Sequence, residues 1–333
     1  MESLYCDEVG LMSPYTTTTV DQQHNAHNKQ PLGVLDQSSF YTSKEDCEQA
    51  LSICLQKECT YLPQPGYSDY LKTYNLIIPR FIAIQWLIKS QKRLNLSFGT
   101  IFNAANYLDR FISMNLCHGW KYWMYELLSV ACLSVASKFD DTASHPFHEL
   151  QEDLDHSFES SMIQRMELSV LKALGWRLSS TTAYSYIQLL ICNIDSLKPS
   201  LLEDLTTRVT ELLLGTLLDF KFLEFRPCVV AISALQCIFD ELLPSTSDAH
   251  IACVVKLIPQ EQKDDLMKCH RYMEKQLVDP NLYNLIACRY SYYCPSSPVT
   301  VLSTDRVEIY DCQIDLSRIN VKASVKKRKR EEQ

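Results

Sequence analysis

Residues 126 to 141 read ELLSVACLSVASKFDD, and this stretch decides the fold. Apolar or small side chains occupy every face of the helix that the stretch predicts, from Leu127 to Ala136. A helix of this length on a protein surface would show a polar side. The stretch therefore predicts a helix that is surrounded by other helices, with charge returning only near its C-terminal end, at Lys138, where a cation suits the helix dipole.

The composition limits the class of protein. The chain has 333 residues, of which 46% are hydrophobic and only 7 are Gly, which suits helical domains. No apolar run reaches membrane-spanning length and the N-terminus lacks a signal peptide, so we expect no membrane partner. The net charge of −8 argues against binding nucleic acid through the overall field. The 14 Cys form no CxxC pair, which favours reduced thiols in the cytosol or nucleus.

Helical periodicity continues before the central stretch. Apolar residues from Cys47 to Leu55 fall on one helical face, with Ser43 as a plausible cap. A second helix, after Pro79, carries Arg80 in its first turn. Because a cation there opposes the helix dipole, we expect a buried carboxylate to compensate it. A third helix carries Asp109 beside its apolar stripe.

Helices also follow the central stretch. Ser161 with Gln164 predicts a capping box, and Gly175 predicts the end of the helix that it starts. Five helices therefore span about residues 79 to 175. A second helical set is predicted at 183–194, 201–218, 227–242 and 260–277, and its run from Cys228 to Leu235 resembles the central stretch. This similarity hints at a duplicated helical domain. We predict no strand.

The two ends of the chain are polar. The first 43 residues cannot bury enough apolar surface to order themselves, yet they contain Leu4-Tyr5-Cys6-Asp7-Glu8. The last residues, from about Ser291, carry Ser297-Pro298 and the basic run Lys326-Lys327-Arg328-Lys329-Arg330. Such a run is either a solvated tail or a nuclear import signal.

Catalytic signatures are missing from the sequence. It contains no GxGxxG, GxxxxGK[ST], HExxH or GxSxG motif, and His145 and His148 lie in a loop without further ligands nearby. We therefore predict a binding scaffold that has no metal and no cofactor and is not an enzyme. An enzyme with an unrecognised site stays open as an alternative, because sequence does not show whether titratable residues converge in a pocket.

Four ordered motifs resemble the cyclin box: Arg80 to Trp86, NYLDRF at 106–111, ASKFDD at 136–141 and Arg165 to Glu167. The chain resembles a plant D-type cyclin in particular. The N-terminal motif fits the LxCxE pattern that binds the retinoblastoma pocket, and FLEFRP at 222–227 and SSPVTVL at 296–302 look like further family segments.

The resemblance implies an all-α fold with two consecutive five-helix cyclin-box domains and disordered tails. Residues 1–43 would form the LxCxE-bearing arm and 44–177 the N-terminal helix with the first box. Residues 178–290 would form the second domain, and 291–333 the basic tail.

The resemblance also implies roles for residues. Arg80 and Asp109 match a structural ion pair that joins the first two helices of the box. The residues that match kinase contacts are Leu127, Lys138 and Glu167. Those that match retinoblastoma contacts are Leu4, Cys6 and Glu8. The expected function is a nuclear regulatory subunit that activates a cyclin-dependent protein kinase and directs it to a retinoblastoma-related protein, promoting G1/S entry. A transcription-factor-type cyclin-fold scaffold is the alternative.

Overall fold

The structure, a computed structural model, describes residues 43–278 except 116, 141–144, 193, 195–196, 245–246 and 257, together with residues 307–309. The predicted retinoblastoma-binding residues Leu4, Cys6 and Glu8 lie outside the described residues, as does the basic run from Lys326 to Arg330. Within the described part of the chain, no helix is long and apolar enough to cross a membrane.

Twelve α-helices make up most of the described residues. The first seven are α1 (Lys44–Lys57), α2 (Tyr67–Thr73), α3 (Ile77–Leu94), α4 (Phe98–Met114), α5 (Tyr122–Asp140), α6 (Phe147–Leu150) and α7 (Ser160–Ala173). The second set is α8 (Ala183–Ile191), α9 (Pro199–Leu218), α10 (Pro227–Leu242), α11 (Ser247–Val255) and α12 (Lys263–Val278). Short 3-10 segments lie at Glu58–Tyr61, Phe220–Glu224 and Gln260–Gln262.

Helix α5 is the centre of the first set. Every residue from Tyr125 to Ser137 is buried, because α3, α4 and α7 pack around the helix. Helix α10 has the same place in the second set, where α8, α9, α11 and α12 contact it and the run from Cys228 to Leu235 is buried. The prediction that the central stretch forms a helix surrounded by other helices is confirmed, and α10, whose sequence resembles it, is buried in the same way.

Two predictions concern residues at the start of a helix, and the structure confirms one of them and contradicts the other. Ser43 does cap α1, since its hydroxyl accepts the Asp46 amide at 3.1 Å. The predicted capping box at Ser161 is wrong, because α7 already begins at Ser160 with Glu159 as its N-terminal cap residue. The Ser161 hydroxyl donates instead to the Glu159 carboxylate at 3.3 Å.

The structure also contains elements that the sequence did not predict. Helix α11 is one of them. Two short strands, β1 (His156–Phe158) and β2 (Val307–Ile309), pair in parallel. Three-residue strands are too short to show an alternating pattern, which explains why none was predicted.

Buried polar contacts join the two helical sets. The Arg80 guanidinium donates to the carbonyl of Leu217 at 2.9 Å, close to the C-terminal end of α9. The Cys228 amide, at the N-terminal end of α10, donates to the Glu58 carboxylate at 2.8 Å. Each charge therefore meets the helix end whose dipole it complements. Around these contacts the buried apolar residues form one continuous cluster.

Candidate functional site

Lys138 and Glu167 form an ion pair between α5 and α7. The Lys138 Nζ lies 2.6 Å from the Glu167 Oε1, and the two side chains are 50% and 11% exposed. Lys138 is at the C-terminal end of α5, whereas Glu167 is in the middle of α7 rather than at its end. The Lys138 ammonium also lies 5.1 Å from the centroid of the Phe147 ring. Since an ammonium has three N–H donors, the bond to Glu167 uses only one of them.

Exposed apolar side chains lie next to this ion pair in the chain. Phe139 and Leu168, which directly follow Lys138 and Glu167, are 51% and 43% exposed. Trp176, just after the end of α7, is 65% exposed. Large exposed apolar side chains on the helices that carry a polar pair are typical of a protein-binding surface. We use the name α5–α7 face for these residues at the end of α5, along α7 and just after it: Lys138, Phe139, Glu167, Leu168 and Trp176.

Side-chain hydrogen bonds connect the helix ends next to the α5–α7 face. The Asn103 side-chain amide of α4 donates to the Asp140 carboxylate at 2.7 Å. The Ser180 hydroxyl donates to the Asn103 side-chain carbonyl at the same distance, 2.7 Å. These bonds tie the end of α5 and the segment after α7 to one side chain. Asn103 of α4 therefore links the last turn of α5 to the segment that follows α7.

The end of α7 explains how Trp176 reaches solvent. Gly175 and Trp176 have positive φ values of 59° and 60°, and the Trp176 amide donates back to the Leu171 carbonyl at 3.0 Å. Two successive left-handed residues reverse the chain sharply, and Gly adopts this conformation without a steric cost. The chain turns away from the helix, so the indole is left outside the core.

Leu127 was expected to contact the kinase, and its position in the structure contradicts this role. Leu127 has 0% exposure, so its side chain offers no surface to a partner. It also lies near the start of α5, eleven residues before Lys138, which places the two residues roughly 16 Å apart along the helix axis. Leu127 is a core residue of the first helical set. Leu168 and Trp176 are the exposed apolar residues that the sequence reading missed, although a Trp just after a helix-ending Gly is a usable signal.

The structure brings Arg80 and Asp109 together in the core. The Arg80 Nε and Nη2 donate to the two Asp109 carboxylate oxygens at 2.7 and 2.8 Å. The Tyr67 hydroxyl donates to the same carboxylate at 2.9 Å. Burial is the largest single effect and disfavours the charged guanidinium, but the charge of Asp109, its hydrogen bonds and Tyr67 together outweigh it, so the pKa of Arg80 is raised. This is the geometry expected of a structural ion pair.

The chain matches two protein-domain profiles and is similar to several known proteins. The profile of the cyclin N-terminal domain matches residues 49–179, and that of the cyclin C-terminal domain matches residues 181–299. Cyclin-D2-2 of Oryza sativa subsp. japonica is 34% identical over 260 residues, which are 77% of this chain and 71% of that protein. Cyclin-D1-1 of Arabidopsis thaliana is 29% identical over 258 residues, 74% of each chain.

Other relatives are matched over a smaller share or at lower identity. The putative cyclin-D7-1 of Oryza sativa subsp. japonica is 39% identical over 201 residues, 59% of this chain and 57% of that protein. Among solved structures, a viral cyclin from herpesvirus saimiri aligns with 65% of this chain and 96% of its own at a TM-score of 0.44 and 13% identity, a likeness too weak to add to the assignment. The two domain matches and the rice relative show that the chain belongs to the cyclin family of regulatory, non-catalytic subunits and is similar to its plant D-type members.

Proposed function

We propose that this chain binds and activates a cyclin-dependent protein kinase and directs it to a retinoblastoma-related protein, promoting entry from G1 into S phase. The observation that carries the kinase part is the α5–α7 face. It combines an ion pair whose Lys138 side chain is half-exposed with three large exposed apolar residues on or next to the same two helices, Phe139, Leu168 and Trp176.

The chemistry of the α5–α7 face suits a protein partner. Burying Phe139 and Trp176 against another protein would remove large aromatic surfaces from water, and such side chains dominate the binding energy of many interfaces. The remaining N–H donors of Lys138 would bind backbone carbonyls of the partner. Glu167 already holds the ammonium in place, so little side-chain freedom is lost on binding.

The activation mechanism follows from the needs of a protein kinase. The kinase is active only when its strand-β3 Lys pairs with the Glu of its αC helix. A rigid surface that binds the active position of αC better than the inactive one shifts the population toward the active state. The α5–α7 face fits this task because α5 is buried on all sides and its last turn is bonded to Asn103 and Glu167.

Two further parts of the proposal concern segments outside the described residues. Leu4, Cys6 and Glu8 would bind the pocket of a retinoblastoma-related protein and bring it to the bound kinase. The basic run from Lys326 to Arg330 would direct the protein to the nucleus. Both rest on the sequence and on the membership of the cyclin family.

The kinase proposal is tested by removing the ion pair of the α5–α7 face. Lys138→Ala alone would leave the nearly buried Glu167 without its partner, so the variant to use is Lys138→Ala with Glu167→Ala. We expect the double variant to capture at least about tenfold less cyclin-dependent kinase, a loss of about 1.4 kcal/mol. We expect its retinoblastoma-tail phosphorylation to fall in proportion.

The matched control is the Arg208–Glu241 pair. It joins α9 and α10 of the second set with the same N–O distance of 2.6 Å. Arg208→Ala with Glu241→Ala should bind kinase as the wild type does. Equal kinase capture by the two double variants, with equal thermal unfolding, would remove the support for the α5–α7 face.

Nuclear import is tested with a fluorescent fusion in cells. Deleting Lys326 to Arg330 should move the fusion from nucleus to cytoplasm. Deleting the three following residues, 331–333, should leave its position unchanged and controls for shortening the tail. Nuclear accumulation of both deletions alike would show that another signal or a bound partner carries the protein.

A further inference from the structure

Three potential metal ligands meet in the second helical set. Asp240 lies near the C-terminal end of α10, and His270 and Glu274 lie one turn apart on α12. The ligand atoms of the three side chains all lie within 4.8 Å of one another. The Asp240 Oδ2 is 3.4 Å from the His270 Nε2, and the Glu274 Oε2 is 3.7 Å from the His270 Nδ1. The helices that carry them pack closely together.

The Nε2 atom of His270, which faces Asp240, has no hydrogen-bond partner. The Nε2 is buried and makes no hydrogen bond, and the side chain is only 14% exposed. A buried polar nitrogen without a partner is destabilising, so such atoms in folded proteins call for an explanation. A cation between the imidazole and the carboxylates would satisfy the nitrogen.

The distance from Asp240 to the His270 Nε2 fits a transition-metal ion, whereas Glu274 lies nearest the other ring nitrogen, Nδ1, and completes the site when its exposed side chain turns toward Nε2. A tetrahedral zinc site with bonds of about 2.0–2.1 Å places neighbouring ligand atoms roughly 3.3 Å apart. The 3.4 Å between Asp240 and His270 already has this value. The other oxygen of Asp240 accepts a hydrogen bond from the Ser247 hydroxyl, which orients the carboxylate as second-shell partners of metal ligands do.

We propose that Asp240, His270 and Glu274 bind a divalent transition-metal ion, with Zn²⁺ as the best fit, and that the ion clamps α12 to α10. One imidazole and two carboxylates suit Zn²⁺, whereas Mg²⁺ and Ca²⁺ prefer sites of oxygen alone. Three protein ligands leave a fourth position for water. Because the ligands come from two helices that meet only in the folded chain, the ion stabilises the folded second domain.

The sequence alone predicts no metal site, because Asp240 and His270 lie far apart in the chain and only the fold brings them together. His270 and Glu274 alone have the spacing of an ordinary helical side-chain pair. A protonated His270 between two carboxylates is the competing arrangement, in which no metal binds. The two arrangements differ in whether added Zn²⁺ binds at this site.

The test is a calorimetric titration of the full chain with Zn²⁺ after its accessible thiols have been alkylated. We expect the wild type to bind one Zn²⁺ that His270→Gln does not bind. The control His145→Gln removes a His–Glu pair with the same spacing of four residues, outside the cluster: His145 lies just before α6, at 3.8 Å from Glu149. It should bind Zn²⁺ as the wild type does. Mg²⁺ should not compete with Zn²⁺ for the site.

Thermal unfolding gives a second readout. Zn²⁺ should raise the unfolding temperature of the wild type and of His145→Gln, but not that of His270→Gln. Should His270→Gln fail to fold, Glu274→Gln serves instead, because that side chain is 53% exposed and its loss leaves the core intact. We expect it to weaken Zn²⁺ binding at least about tenfold. Equal stoichiometry and affinity in the wild type and the cluster variants, or no binding by the wild type, would overturn the site and leave an ion pair only.

Discussion

Arg80 donates two hydrogen bonds to Asp109 in the core of the protein, at 2.7 and 2.8 Å, and its side chain is 1% exposed. The third guanidinium nitrogen, Nη1, donates to the Leu217 carbonyl of α9. One side chain thus joins α3 to α4 in the first helical set and to α9 in the second. The ion pair is consequently part of the junction between the two domains, in addition to its place within the first box.

Replacing Arg80 with Met should lower the free energy of unfolding by about 3–5 kcal/mol, because it leaves the buried Asp109 charge with only the Tyr67 hydroxyl. Urea unfolding followed by circular dichroism measures this. The double variant Arg80→Met with Asp109→Leu removes both charges and should be less destabilised than the sum of the single variants. An Arg80→Met protein within 1 kcal/mol of the wild type would contradict the importance of the pair.

Local sequence patterns predicted the parts of the fold that depend on one helix at a time. The run of apolar or small side chains from Leu127 to Ala136 predicts a helix buried on every face, and α5 is one. The unfavourable position of Arg80 in a first helical turn indicated a buried carboxylate, because a cation there needs compensation. The pairing of Lys138 with Glu167 came from the family motif, since no periodicity links residues on two different helices.

Contacts between distant residues could not be predicted in this way. Glu58 meets the amide of Cys228 from 170 positions away, and Asp240 reaches His270 only after α10 and α12 have packed. Leu127 was misjudged because a family motif gives a residue type without its depth in the core. Ser161 failed as a cap because a neighbouring residue, Glu159, took the extended backbone that a cap requires.

The contribution of Glu58 to the free energy of unfolding should depend on pH. Burial raises the pKa of Glu58. This effect is larger than the opposing effects of the hydrogen bond from the Cys228 amide and of the Arg226 charge, so the pKa is raised overall. The folded protein therefore holds this proton more tightly than the unfolded chain does. The resulting stabilisation is fully present below the unfolded carboxyl pKa of about 4.3 and is lost as the pH rises through the raised folded pKa.

The variant Glu58→Gln keeps a side-chain carbonyl for the Cys228 amide but does not titrate. Relative to the wild type, its free energy of unfolding should therefore be higher at pH 7 than at pH 4.5. Urea unfolding at several pH values between these limits measures the difference. Glu48→Gln, a change at an exposed residue of α1, serves as the control and should show a much smaller trend. A pH-independent difference for Glu58→Gln would refute the assignment.

The exposed aromatic residues of the α5–α7 face should matter for binding and little for stability. Replacing Phe139 or Trp176 with Ser should each weaken kinase binding by about 2 kcal/mol, close to thirtyfold, as for interface hot spots. Unfolding free energies should stay within about 0.5 kcal/mol of the wild type. Met267→Ser, at a residue of α12 that is 56% exposed, is the control and should bind kinase normally. Surface plasmon resonance with purified kinase separates these outcomes.

The last prediction concerns the arm that carries Leu4, Cys6 and Glu8. In an extended chain these alternating side chains share one side, so Leu4 and Cys6 would enter small apolar pockets while Glu8 accepts hydrogen bonds. A peptide that loses its freedom on docking binds with moderate affinity, but tethering would raise the effective concentration of substrate beside the kinase. Cys6→Arg should abolish calorimetric binding to a retinoblastoma-type pocket and leave kinase capture unchanged, whereas Tyr5→Ala, on the opposite side, should retain pocket binding. Equal pocket binding by the wild type and Cys6→Arg would mean that the motif is a chance match.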